Sequence, residues 1–241
     1  MVSQKPTGIF DFDGVLFPIV NGGSHIKQFI DLRVERLEEA LGCTGRDVGF
    51  FLAAARILGL RGGVAEHGAW FILDAEQEII VPSPLLEGLK TGDRIPPQDF
   101  ERFVKGIGGI VYPGKSICLT AYPPRWMSPV QLRDRIREEW RGYPGNITAS
   151  SIAADVWPPC LDKGLALGRF PGLDLERCFG VADSETDISW LKLLGTRVAA
   201  VSNADEELKK WVDGQGGKLL SKPLILGACE AIDFFAPPFE Q

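Results

Sequence analysis

The chain has 241 residues, with 26 Lys+Arg against 32 Asp+Glu for a net charge of -6, and 45% of it is hydrophobic. That size and apolar share fit one large or two modest globular domains and exclude a disordered chain. The acidic balance argues against nucleic-acid binding by bulk positive charge. No apolar run reaches the roughly 18 residues of a membrane span, and the longest, Val48 to Leu60, is broken by Arg56. The start, Met1-Val-Ser-Gln-Lys-Pro, lacks the apolar stretch of a signal peptide. The 5 cysteines are scattered and form no C-x-x-C pair, which suggests reduced thiols, a cytoplasmic location and no structural zinc.

In chain order, Gly8-Ile9-Phe10 is a short apolar strand that ends in acids. His25 to Leu41 carries Ile26, Phe29, Ile30, Val34, Leu37 and Leu41 at helical spacing. Val48 to Leu60 reads as a second helix, with Phe50, Phe51, Ile57 and Leu58 as its core stripe. Ala69 to Leu73 and Glu78 to Val81 form a hairpin pattern. Ser116 to Ala121 and Asn146 to Val156 look like strands around one charged helix, Pro129 to Trp140. After Asp162 the alternation resumes: a helix to about Gly168, a strand at Cys178 to Ala182, a helix at Glu185 to Leu194, a strand at Arg197 to Val201, and helices at Asp205 to Val212 and Ala228 to Phe235. Alternating strands and helices predict an α/β fold, a Rossmann-like core with a mainly parallel sheet. Two proline clusters, Pro82-Ser83-Pro84 and Pro158-Pro159, bracket the middle region. Residues 83–158 therefore read as an inserted, smaller α+β domain, with 1–82 and 159–241 as the core. Two short crossings with few contacts across them would permit hinge motion.

Four segments carry chemistry. In Phe10-Asp11-Phe12-Asp13-Gly14, two carboxylates two residues apart converge where a strand ends, and need a cation or a shared proton between them. Asp183, after Gly180-Val181-Ala182, is a further hard oxygen ligand at a second strand end, although an N-cap would use the same residue type. Cys43-Thr44-Gly45-Arg46 opens a helix, where backbone N–H groups and the helix dipole favour an anion. Asp162-Lys163-Gly164 puts a point charge at the start of another helix.

In this order and spacing the four segments resemble the motifs of the haloacid dehalogenase-like phosphohydrolase superfamily. Ala65-Glu66-His67-Gly68-Ala69 and Val201-Ser202-Asn203-Ala204-Asp205-Glu206-Glu207-Leu208-Lys209 are similar to elements of its Cof-type branch, which also carries a cap domain between the second and third motifs. His67, Ala182, Thr186 and Val15 depart from the common residues, and none of the four removes a charged group. The segment before Thr44, Glu38-Glu39-Ala40-Leu41-Gly42, is a poor strand pattern.

The resemblance implies an enzyme, a Mg²⁺-dependent phosphomonoesterase. Asp11 would be the nucleophile and Asp13 the general acid and base. Mg²⁺ would be held by Asp11, Asp183 and the Asp13 backbone carbonyl. Thr44, Gly45 and Lys163 would bind the phosphoryl group, with Asp187 orienting Lys163 and Asn203 in support. An acid at position 13 favours phosphate esters over carbon–halogen bonds, since a departing halide needs no proton. The expected ligand is a small phosphate ester such as a sugar phosphate or a phosphoglycolate-like acid, with no nucleic acid or membrane partner; the sequence leaves the oligomeric state open. Lys115, Tyr122, Arg125 and Trp126 of the cap are candidate substrate contacts, and His67 a candidate lining residue. A phosphomutase and a non-catalytic sugar-phosphate-binding protein are the alternative expectations. The cap type resembles those of phosphoglycolate, sucrose-phosphate and mannosyl-3-phosphoglycerate phosphatases.

Overall fold

The computed structural model describes residues 5–18, 23–150 and 152–238. Met1 to Gln4, on which part of the signal-peptide expectation falls, lie outside the described residues.

Strand β1 (Thr7–Phe10) leads into helix α1 (Ser24–Arg36), then β2 (Glu39–Cys43), α2 (Val48–Leu58), β3 (Gly62–Ala65), β4 (Trp70–Asp74) and β5 (Ile79–Pro82). Next come α3 (Pro97–Gly106), β6 (Ile110–Val111), β7 (Leu119–Tyr122), α4 (Pro129–Glu139), β8 (Asn146–Ala149) and β9 (Ala154–Trp157). The chain ends with α5 (Lys163–Leu167), β10 (Cys178–Ala182), α6 (Ile188–Leu191), β11 (Val198–Ala200), α7 (Glu206–Gly214), β12 (Lys218–Leu219) and α8 (Leu224–Phe235).

Among the described residues, the larger sheet runs β12-β11-β10-β1-β2-β3-β4-β5. It is parallel from β12 to β3, and β4 and β5 add an antiparallel edge. This is an α/β fold with a parallel core sheet, as its alternating pattern implied. β1 lies between β2 and β10 and is buried from Gly8 to Phe10, so its carboxyl end opens at the middle of the sheet. Phe10 stands edge-on to Phe29 at 5.3 Å and to Phe179 at 5.8 Å. Such pairs contribute about 0.5–1.5 kcal/mol each beyond the burial of their area.

The second sheet, β6-β7-β9-β8, is antiparallel. One of its faces packs Leu119, Ala121, Ile147 and Val156 on Phe100 and Val104 of α3 and Leu132 and Ile136 of α4. Alternation turns Thr120, Tyr122, Asp155 and Trp157 to the other face.

Several local expectations are corrected. The helix read as His25 to Leu41 stops at Arg36, and Leu37 is already extended (φ -102°, ψ 146°). What looked like a poor strand is β2, buried from Ala40 to Cys43 and paired with β1 and β3. A parallel strand covered on both faces needs no alternation, so pairing overrides the helical propensity of Glu, Ala and Leu. Val34 and Ile57 are exposed rather than core. The run Asn146 to Val156 is two strands, β8 and β9, paired as a hairpin. The crossings between the sheets carry far more contacts than the proline clusters suggested. Glu66 is buried, and its carboxylate accepts from the backbone N–H groups of Ser116, Ile117 and Cys118 and from the Ser116 hydroxyl. Trp70 Nε1 donates to Ser116 Oγ (2.9 Å), and the Tyr112 hydroxyl donates to Asp47 (2.7 Å). No helix among the described residues is long and apolar enough to cross a membrane.

Candidate active site

The carboxyl end of β1 delivers Asp11, whose backbone N–H donates to Val181 O on β10 (3.0 Å). That bond fixes the residue beside the next strand end, where Asp183 follows β10. Gly14 completes the turn with φ 78°, and a Cβ there would lie 1.8 Å from Asp183 Oδ2, so only glycine lets the two loops meet. Asn203 Nδ2 donates to Gly14 O (2.9 Å), while its Oδ1 accepts from Leu224 N (2.8 Å), tying this loop to α8. Asp205 supports the Asp183 loop, its N–H donating to Asp183 O (2.9 Å) and its carboxylate accepting from Glu185 N (2.7 Å).

Lys163 enters from the start of α5 and bridges two carboxylates. Its Nζ donates to Asp11 Oδ1 (2.9 Å) and to Asp187 Oδ1 (2.7 Å). All three side chains are buried, at 8% exposure or less. Asp187 Oδ1 also accepts from Trp190 Nε1 (2.8 Å), whereas its Oδ2 is buried with no partner. Carboxylate oxygens of Asp11, Asp183 and Asp187 lie within 4.8 Å of one another. Burial, then the charge of Asp187, pushes the Asp11 carboxyl well above its usual range against the pull of Lys163. Burial, again with Asp187, pushes Asp183 up to about 7. The pairing of Lys163 with Asp11 and Asp187 outweighs its burial and holds the ammonium charged.

Three carboxyl groups share one ammonium, and their mutual repulsion, which helps to raise Asp11 and Asp183, is what a cation placed between them relieves. The orphaned Asp187 oxygen and the all-oxygen donor set fit a hard divalent cation. Asp187, expected only to orient Lys163, is thus also part of the acidic cluster. The Asp13 side chain is not. Its carboxylate is exposed and gripped by Arg46, with Nε to Oδ2 at 2.8 Å and Nη2 to Oδ1 at 2.7 Å.

Thr44 and Gly45 follow β2, next to the end of β1. Thr44 is buried, and its Oγ1 accepts from Arg46 N (3.1 Å), which leaves the hydroxyl proton free to donate. Gly45 packs under His67, where a Cβ would come within 2.5 Å of Nε2. His67 (φ 53°) lies flat on Trp157, 4.0 Å between ring centroids and 6° between planes. Burial, then Lys115, lowers its pKa well below the usual histidine value, so the ring is neutral.

The candidate cap contacts divide. Lys115 is buried against Asp155 (2.8 Å), so its ammonium is already paired. Tyr122 is half-buried on the open face of the second sheet, while Arg125 and Trp126 are exposed on the loop beyond β7. Sequence reasoning missed Arg46, Glu66 and Asp155 as parts of the site's frame. The position of Arg46 right after Thr44-Gly45 was the available signal for the first.

No family model matches the chain. Over 179 residues it is 26% identical to a phosphoglycolate phosphatase of Methanothermobacter thermautotrophicus, covering 70% of this chain and 72% of that protein. Its fold is similar to a Thermoplasma acidophilum crystal structure (TM-score 0.71, 16% identity, 96% and 98% of the two chains). It is also similar to a haloacid dehalogenase-like hydrolase from Bacteroides thetaiotaomicron (TM-score 0.70, 14% identity, 96% and 99% covered). The fold is similar to that of a haloacid dehalogenase-like hydrolase, and the sequence relative is a phosphatase.

Proposed function

We propose that the protein is a Mg²⁺-dependent phosphomonoesterase that hydrolyses a small phosphorylated metabolite through a phosphoryl group carried on Asp11. The observation that supports this best is the bridge of Lys163 between Asp11 (2.9 Å) and Asp187 (2.7 Å), at the strand ends and beside Asp183.

Asp11 presents a carboxylate oxygen for in-line attack on phosphorus, held in place by Lys163 and by its own backbone bond to β10. The Thr44 hydroxyl and the Lys163 ammonium donate to phosphoryl oxygens. Asp13, freed from one of its two bonds to Arg46 and protonated there, gives that proton to the leaving oxygen and then takes one from the water that hydrolyses the acyl phosphate. Asp187 keeps the ammonium aimed through a charge-assisted hydrogen bond. Asp11, Asp183 and Asp187 would hold Mg²⁺, which, when bound, offsets the repulsion between carboxylate and phosphate dianion. The second sheet, tied to the core by the Glu66 carboxylate and by Trp157 stacked on His67, is proposed as the cap that reads the leaving group.

Phosphate release from a panel of alkyl, sugar and aryl phosphates, with Mg²⁺ and with EDTA, tests the reading. Mg²⁺-dependent release that Asp11→Asn abolishes is expected. Turnover in EDTA equal to that with Mg²⁺ would refute the metal dependence.

A further inference from the structure

The open face of the second sheet meets the core beside the anion loop. Trp157 on that face rests on His67, and His67 rests on Gly45 of the anion loop. Asp155 lies two residues before Trp157 on the same face, about 7 Å along the strand, and directly opposite Thr120 of β7. Its Oδ1 is occupied twice, by the Lys115 ammonium and by the Thr120 hydroxyl. Its Oδ2 has no partner among the described residues, and the side chain keeps 19% of its exposure, while that of Lys115 keeps 5%. A ligand reaching this face meets a carboxylate oxygen, with the ammonium behind it.

We propose that Asp155 is the specificity-determining residue of the cleft: Oδ2 accepts a hydroxyl from a neutral, hydroxylated leaving group, and its charge turns away an anionic one. This rests on the phosphomonoesterase reading above. The other cations around the cleft are committed. Lys163 is bound to Asp11 and Asp187, Arg46 to Asp13 and Lys115 to Asp155, and His67 is neutral. Asp155 itself stays ionised, since the neighbouring ammonium outweighs burial and keeps its carboxyl below the usual range. Arg125, exposed beyond β7, is the group a carboxylate-bearing leaving group would have to use instead.

The test is calorimetric binding in the Asp11→Asn protein with Mg²⁺, so that turnover does not intrude. Glucose phosphate and glycerol phosphate are the neutral probes, phosphoglycolate and phosphoglycerate the anionic ones. The neutral pair should bind about tenfold more tightly, the weight of one hydrogen bond to a charged acceptor. Adding Asp155→Asn unmasks Lys115 and should reverse the order, with the anionic esters gaining about tenfold. Thr120→Val, which removes only one bond to Asp155, should narrow the preference by about threefold, and this keeps the test available if the first variant misfolds. Tighter binding of phosphoglycolate in the parent, an equal change for all four esters, or an order governed by Arg125→Ala would overturn the assignment. Hydrolysis of p-nitrophenyl phosphate by the parent protein separates the two readings. If the parent protein does not hydrolyse that ester, the phosphomonoesterase reading fails, while the binding comparison still decides the role of Asp155.

Discussion

Arg46 grips Asp13 with two parallel hydrogen bonds, 2.8 and 2.7 Å long, while its guanidinium lies 4.9 Å over the ring of Phe50. A bidentate fork fixes both the position and the plane of a carboxylate. Phe50 in turn sits edge-on to Phe17, so the fork is backed by the same aromatic cluster that carries the turn after β1. The residue proposed to move protons is therefore oriented by a neighbour rather than left to swing freely on the surface.

From this pair, Arg46→Ala is expected to lower kcat for alkyl phosphates about tenfold, with a smaller loss on p-nitrophenyl phosphate, whose leaving group needs little protonation. Arg46→Lys keeps the charge but loses the fork, and should recover only part of the loss. Steady-state kinetics on the two ester types checks this; equal losses on both would place Arg46 in phosphate binding instead of in the positioning of Asp13.

The acidic cluster makes a prediction about stability. With Asp183 raised to about 7 in the folded protein, the fold binds its proton more tightly than the unfolded chain does. Stability of the metal-free protein should then fall as pH rises from about 4 to about 7, because the unfolded chain gives up that proton first. Adding Mg²⁺ should raise Tm most at the upper end of that window. Thermal unfolding across pH, with EDTA or Mg²⁺, reads the effect; an apo Tm that climbs through the same window would contradict it.

Glu66 links the two sheets. Its buried carboxylate receives backbone N–H groups from Ser116, Ile117 and Cys118, and losing it strands all three donors. Glu66→Ala should cost about 2–4 kcal/mol of stability, whereas Glu66→Gln should cost less because one oxygen acceptor remains. Denaturant unfolding measures both, and a loss below about 0.5 kcal/mol for Glu66→Ala would mean that the segment does not depend on this residue.

The strand ends that carry Asp11 and Asp183 were legible because an apolar run stopping at an acid is a local pattern, and β10 agrees with its sequence reading residue for residue. Lys163 and Asp187 were legible through the resemblance of their motifs. β2 was not, since Glu39 to Cys43 is a strand only because β1 and β3 flank it. The grip of Arg46 on Asp13 spans 33 positions, and that of Glu66 on Ser116 spans 50, so no local periodicity could announce either. Lys115 stood as a candidate substrate contact because sequence shows a charge but not its partner, Asp155, 40 positions away.

The central claim is that Asp11 carries the phosphoryl group. Acid-quenching the protein during turnover of p-nitrophenyl phosphate with Mg²⁺, followed by peptide mass spectrometry, tests it directly. The expected result is one added phosphoryl group on the peptide containing Asp11, absent in Asp11→Asn and absent without Mg²⁺. A phosphoryl group on a different residue, or undiminished phosphate release by Asp11→Asn, would contradict it.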